Sequence, residues 1–480
     1  MGTFSAGGAG RFAPWMAGCA GVLLAGCVAL APGYQPPAVG LPGAYALDEQ
    51  VDGADARGLS WCGYFTDAGL QGAIRQALAH NHDLRAALLR VEEARAAHGI
   101  QQGERWPLLA AEFDATRASV PADLNLSRRR LLGNQFQLGV GFNAWELDFW
   151  GRVRNLNAAA LENYLATEAA ARAVRLSVIA QTADAYLSLG ELDERIGLAR
   201  RTAQSRAESL RIFRRREALG AASRLELAQA EVLWQQASAL LAQLEQARAA
   251  QAHALNLLLG GASLLPQADT ARPDPPDELA PLQAGLPSRL LAARPDVMAA
   301  EHALRAAHAN IGAARAAFFP RIALTAAYGT GSAELEGLFR DGSALWSFAP
   351  TISLPIFDGG RRQAALDLAQ VRREAAVVRY EQVVQQAFRE VADALSARAW
   401  LVEQARTLDA MQATQRERAR LARLRYDSGA TRYLEVLDAE RDLLAVAQQR
   451  VQARRAVRSA QVALYVALGG GADAAGRCEP

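Results

Sequence analysis

A chain of 480 residues with a formal net charge of +2, 21% charged and 51% apolar residues has no pull towards nucleic acid and enough apolar content for a large core. Its basic residues are all Arg, a compositional bias, and its six His are scattered; His80 and His82, two apart, do not share a helix face. No Walker A sequence, G-x-S-x-G, H-E-x-x-H or paired C-x-x-C occurs, so neither an enzyme, a cofactor nor a metal site is expected.

From Phe12 to Ala46 the chain carries no charge. Gly within this run and Pro32, Pro36 and Pro37 at its end argue against a transmembrane anchor and for a signal peptide over 1–26, with Arg11 upstream of an apolar centre. Leu24-Ala25-Gly26-Cys27 resembles the bacterial lipobox, which implies lipidation at Cys27; Val28, where inner-membrane lipoproteins carry Asp, implies the outer membrane. Residues 27–71, rich in Gly and Pro over Ala38 to Arg57, read as a tether.

The rest of the chain is a duplication. Gly151 to Gly260 aligns without a gap on Gly360 to Gly469, and Asp83 to Pro107 aligns on Asp296 to Pro320. The first repeat, 72–265, opens with an amphipathic helix from roughly Gly72 to Glu104. Two stretches of period-two alternation follow, at about 108–118 and 134–149, the second changing phase at Trp145 as at a bulge. Between them Arg128-Arg129-Arg130 reads first as a solvated external turn and second as a contact for lipopolysaccharide phosphates. No proline interrupts 122–265, so 151–219 reads as one helix, about 100 Å long at 1.5 Å per residue, and 223–260 as another. Gly220 and Gly429 punctuate the two copies, with Ser223 and Thr431 as candidate caps. Leu189, Leu192, Ile196, Ala199, Ala203, Leu210 and Phe213 form an apolar seam interrupted by Arg206; Leu233, Ala237, Leu240, Leu244, Ala247, Ala254 and Leu258 form a second interrupted by Gln251.

A proline-rich linker, 266–288, leads into the second repeat, 289–469, and a tail, 470–480. The second repeat holds a helix, strands at about 321–330 and 344–357, a long helix over 360–428 and a helix over 432–468. Strands of about ten residues are long enough to cross a bilayer when tilted, yet four cannot close a barrel and open edges are not tolerated in lipid; such a chain must oligomerise. A soluble four-stranded sheet is the competing reading.

Trp145-Glu-Leu-Asp-Phe-Trp-Gly-Arg152 resembles the motif at the end of the second strand in the outer-membrane factor family, the TolC-like channel tunnels; Pro355-Ile-Phe-Asp-Gly-Gly360 is similar to its counterpart in the second half. Tyr426-x-x-Gly429 running into Leu434-Glu-Val-Leu-Asp-Ala439 looks like the family's periplasmic turn. The resemblance covers nearly the whole mature chain. It implies a mostly α fold with a transmembrane β-barrel portion: four long-helix segments and four strands per chain, closed as a homotrimer into a twelve-stranded barrel and an α-helical periplasmic tunnel. It implies a passive duct lipid-anchored in the outer membrane, serving a periplasmic adaptor and an inner-membrane transporter of the resistance–nodulation–division type that exports small molecules. The alternatives are the exit channel of a type I protein secretion system and a structural periplasmic coiled-coil lipoprotein.

Glu435 and Asp438, three apart on one helix face, match the family's acidic aperture in type and spacing, with Glu in place of the usual Asp at the first. The resemblance also implies that Tyr426, Thr431 and Arg432 tie neighbouring helices shut, with Glu226 as a partner, and that the turns at Gly220 and Gly429 dock the adaptor. One departure is Cys62, where relatives often carry an aromatic beside Trp61. With Cys27 lipidated, Cys62 and Cys478 remain, paired or free.

Overall fold

The computed structural model describes residues 30–40, 42–45, 54–124, 126, 128–261, 279, 281–283 and 294–471. Cys27, Cys478 and most of the linker lie outside the described residues. The helices are α1 (Trp61–Tyr64), α2 (Ala68–His80), α3 (His82–Gly103), α4 (Arg152–Ala218), α5 (Arg224–Leu258), α6 (Pro295–Ala316), α7 (Arg361–Asp427) and α8 (Tyr433–Ala467). The strands are β1 (Ala54–Asp55), β2 (Ala110–Val120), β3 (Leu131–Glu146), β4 (Leu282–Gln283), β5 (Arg321–Ser332) and β6 (Ala344–Ser353). The chain divides into two compact units, one from 1–37, 92–167 and 300–380, the other from 38–91, 168–299 and 381–480.

The first unit holds an antiparallel sheet in the order β2-β3-β5-β6, leaving β2 and β6 as its edges. Pro350 thus sits in an edge strand, where the missing N–H costs least, and β6 ends at Ser353 rather than at 357 because Pro355 cannot donate to a ladder. Between Phe142 and Trp145 the register with β5 shifts, Ala144 turns to φ 52°, and its N–H donates to Thr325 Oγ1 at 3.1 Å. This bulge carries Trp145 onto the face that Phe136, Leu138, Val140 and Phe142 already share.

Strand ends are locked to helix starts by the two motifs singled out above. Glu146 accepts both Arg152 nitrogens, at 2.9 and 2.7 Å, and Arg321 at 2.8 Å. Trp150 Nε1 donates to Pro320 O at 2.8 Å while its ring stacks on Phe319. Gly151, at φ +77°, turns the chain into α4, and Asp148 accepts the Arg154 N–H. In the second repeat Asp358 accepts the N–H groups of Gly360 and Arg362 and the Arg362 guanidinium, which holds its carboxyl below the usual range. The tether is fixed in this unit as well: Arg305 lies over the Tyr34 ring, His308 meets it edge-on, and Arg315 donates to Leu30 O.

In the second unit the expected single helix from Gly72 to Glu104 is instead two, α2 and α3, broken at Asn81. No Gly or Pro marks the break. Asn81 is buried; its Oδ1 caps Leu84 N–H and its Nδ2 donates to Leu258 O at the end of α5. Arg294, the aligned residue of the second repeat, is also buried and donates to Ala467 O at the end of α8, to Asp296 and to Glu390. Tyr64 and Tyr465 stack at 4.5 Å at the centre of the main core, with Phe65, Ile74, Leu255 and Leu464 around them. Cys62, the one cysteine among the described residues, is disulfide-bonded.

The first seam is buried at Leu189, Leu192, Ile196, Ala199, Leu210 and Phe213. Its interruption is not a gap: Arg206 is buried, 3.6 Å from Glu440 and bonded to Leu437 O. The second seam differs from expectation after Gln251. Ala254 is exposed, and the stripe passes through Ala252, Leu255 and Leu259, a drift natural to a straight 3.6-residue helix tracking a 3.5-residue pattern.

Candidate functional site

Two places carry the function-bearing residues: the turns that join the long helices, and the two faces of the sheet. At the first turn Gly220 adopts φ +73° and Ala221 N–H reaches back to Arg216 O, closing α4; Ser223 then caps α5 in a full capping box with Glu226. At the second, Gly429 adopts φ +76° and Ala430 N–H bonds Arg425 O. The expected cap Thr431 is not one. Arg432 occupies the cap position without a side-chain bond, because the Thr431 hydroxyl is engaged by the Glu435 carboxylate four residues on.

The side chains expected around the aperture therefore fall into separate pairs. Glu435 binds Arg425 at 2.9 Å as well as Thr431; Asp438 pairs with Arg441 at 3.2 Å. Tyr426 packs on Tyr433, and its hydroxyl accepts a 2.7 Å bond from Arg216 rather than donating one to Glu226. Glu226 is committed to Ser223, whose backbone and hydroxyl bonds, followed by the charges of Arg216 and Arg432, hold its pKa below the usual carboxylate range. Sequence reasoning missed Arg216 and Arg425. Both sit in the last turn or two of a long helix, where a cation favours the exposed carbonyls, and that is the signal that marks them.

The sheet register separates two chemistries. One face carries Phe113, Ala115, Phe136, Leu138, Val140, Phe142, Trp145, Leu324, Ala326, Tyr328, Trp346 and Phe348, all of like parity. The other carries Glu112, Asp114, Thr116, Gln135 and Gln137, and every glycine of β3 and β5. The spacing there is close: a Cβ on Gly329 would stand 2.2 Å from Leu138 O, and one on Gly141 2.5 Å from Ala326 O. Strands that curl towards this face leave no room for side chains at those positions. The ten steps from Ile322 to Ser332, at about 3.3 Å each and a tilt of about 40°, span roughly 25 Å, the height of an outer-membrane apolar band. Among the described residues no helix is long and apolar enough to cross a membrane, and no His, Cys, Asp and Glu cluster is placed to hold a metal.

The pattern of the outer membrane efflux protein family matches residues 73–261 and 286–470. The chain belongs to that family. Outer membrane protein OprJ of Pseudomonas aeruginosa is 42% identical over 455 residues, covering 94% of each chain. The cation efflux system protein CusC of Escherichia coli K12 is 39% identical over 456 residues, covering 94% of this chain and 98% of CusC. In structure, the open MtrE outer membrane channel of Neisseria gonorrhoeae superposes with a TM-score of 0.83 at 38% identity, over 92% of this chain and 98% of that one. This efflux channel protein is thus an outer-membrane component with the helical tunnel and barrel wall of its family. In a barrel wall the apolar sheet face suits lipid, and the glycine-lined face a lumen.

Proposed function

We propose that three copies of this chain join edge to edge, β6 of one against β2 of the next, to give a twelve-stranded barrel and a twelve-helix tunnel. The single observation that carries the proposal is a sheet with one face mainly apolar up to the row of Ala115 and Phe136, and with both edges unpaired among the described residues. The assembly is a passive duct with no catalysis. It receives small molecules from an inner-membrane transporter of the resistance–nodulation–division type through a periplasmic adaptor, which docks on the turns at Gly220 and Gly429. The relatives CusC and TtgI, named for cation and toluene efflux, support a small-molecule cargo. Acylated Cys27 anchors each protomer in outer-membrane lipid, and Glu435 and Asp438 line the tunnel's closed end. Co-expression with the adjoining adaptor and transporter genes, in a strain lacking its own outer-membrane efflux channels, tests the reading. Restored resistance to pump substrates is expected; resistance left at the deletion level refutes it.

A further inference from the structure

The outward face does not remain apolar to its outer rim. The row of Ala115 and Phe136 is the last apolar one; the next, two residues further from the helices, pairs Arg117 with Asn134, and the one after pairs Ser119 with Leu132. Arg117 shares the parity of Phe113 and Ala115, so its side chain leaves the wall on the lipid side. Arg130 comes from the connecting loop but is brought round to the same side by its Nε, which donates to Ser119 Oγ at 2.9 Å. Among the described residues Arg117 has no hydrogen bond or ion pair and Arg130 none beyond Ser119. The strand that a neighbouring copy would bring to this edge, β6, contains no Asp or Glu.

Two guanidinium groups facing lipid are costly at mid-bilayer and close to neutral at the headgroup level, where phosphate oxygens replace their water. Their height, just beyond the last apolar row, is the height of the outer-leaflet headgroups. Leu132 on the same face, and Leu124 and Leu126 in the loop, are exposed beside them and suit acyl chains better than an aqueous ligand.

We propose that Arg117 and Arg130 form a binding site, one per protomer, for the phosphate of a phosphorylated glycolipid in the outer leaflet, the lipid A moiety of lipopolysaccharide. The site rests on the barrel reading above. Native mass spectrometry of the purified trimer, titrated with bis-phosphorylated lipid A, monophosphoryl lipid A and phosphatidylglycerol, tests it. Three lipid A molecules per wild-type trimer are expected. Arg117→Gln/Arg130→Gln should weaken binding roughly 30-fold, about fivefold for each arginine. The milder Arg117→Lys/Arg130→Lys keeps the charge and loses the fork, and should fall between the two. Undiminished lipid A binding by an intact Gln variant overturns the site, as does wild-type binding of phosphatidylglycerol as tight as that of lipid A. Failure of the wild-type protein to form a trimer would instead sink the barrel reading beneath it.

Discussion

Ala326 and Ala327 are neighbours of identical chemistry on β5 that the register sends to opposite faces. Ala326 lies in the row of Phe142 and Phe348; Ala327 pairs with Gly141 and Ser347. Ala326 is four steps from Ile322, hence about 10 Å into a band roughly 25 Å tall, close to the bilayer middle. An arginine there has to desolvate, deform the bilayer or snorkel, at a cost of roughly 2–4 kcal/mol per chain, whereas one at Ala327 enters a water-filled lumen at about 0–1 kcal/mol. Ala326→Arg is therefore expected to lower the ratio of folded to unfolded chain roughly 30- to 700-fold, with Ala327→Arg within about fivefold of wild type. Urea titration of the protein in lipid vesicles, followed by tryptophan fluorescence and by the heat-modifiable trimer band, measures both. Equal losses, or a larger loss for Ala327→Arg, would refute the assignment of faces. Leu324 and Thr325 form a second such pair nearer the periplasmic rim, where the same ordering with a smaller gap is expected.

Cys27→Ser is expected to abolish incorporation of a clickable fatty acid; persistent labelling would place the lipid elsewhere. Asn81→Ala removes a helix cap and strands the Leu258 carbonyl, so a loss of roughly 2–3 kcal/mol in chemical denaturation is expected, and a change below about 0.5 kcal/mol would deny it both roles. The pair Glu435→Ala/Asp438→Ala should reduce cation selectivity in single-channel recordings, and wild-type selectivity and conductance would remove both residues from the aperture. Peptide mapping without reductant should recover Cys62 cross-linked, with Cys478 as the expected partner; alkylation of Cys62 in the unreduced protein would contradict the disulfide.

Long periodic segments were readable because their physics is local: a proline-free stretch with 3-4 apolar spacing makes a helix, and alternation makes a strand. The family and the barrel followed from that organisation and its motifs. What stayed hidden depends on partners distant in sequence. Asn81 breaks a helix because Leu258, 177 residues away, supplies its acceptor, and Arg294 reaches the end of α8 in the second repeat with unrelated chemistry. The lipid face could not be chosen until the bulge at Ala144 was placed, since one extra residue exchanges the faces. At the turns, glycines and acids were visible, but their pairings were not. Glu226 is taken by its own capping box, and Tyr426 by Arg216 on a helix more than 200 residues earlier. A family motif specifies residue types; competition among nearby donors decides the bonds.

The glycine patch on the lumen face of β3 and β5 has a consequence for traffic. Where Gly139, Gly141, Gly329 and Gly331 line the wall, a passing solute meets peptide planes instead of flexible side chains. Such a surface has no rotamers to freeze and few groups to grip, so it gives little residence time to any one cargo. Friction along the exit is then nearly the same for chemically unlike molecules, and the choice among them falls to whatever loads the duct from below.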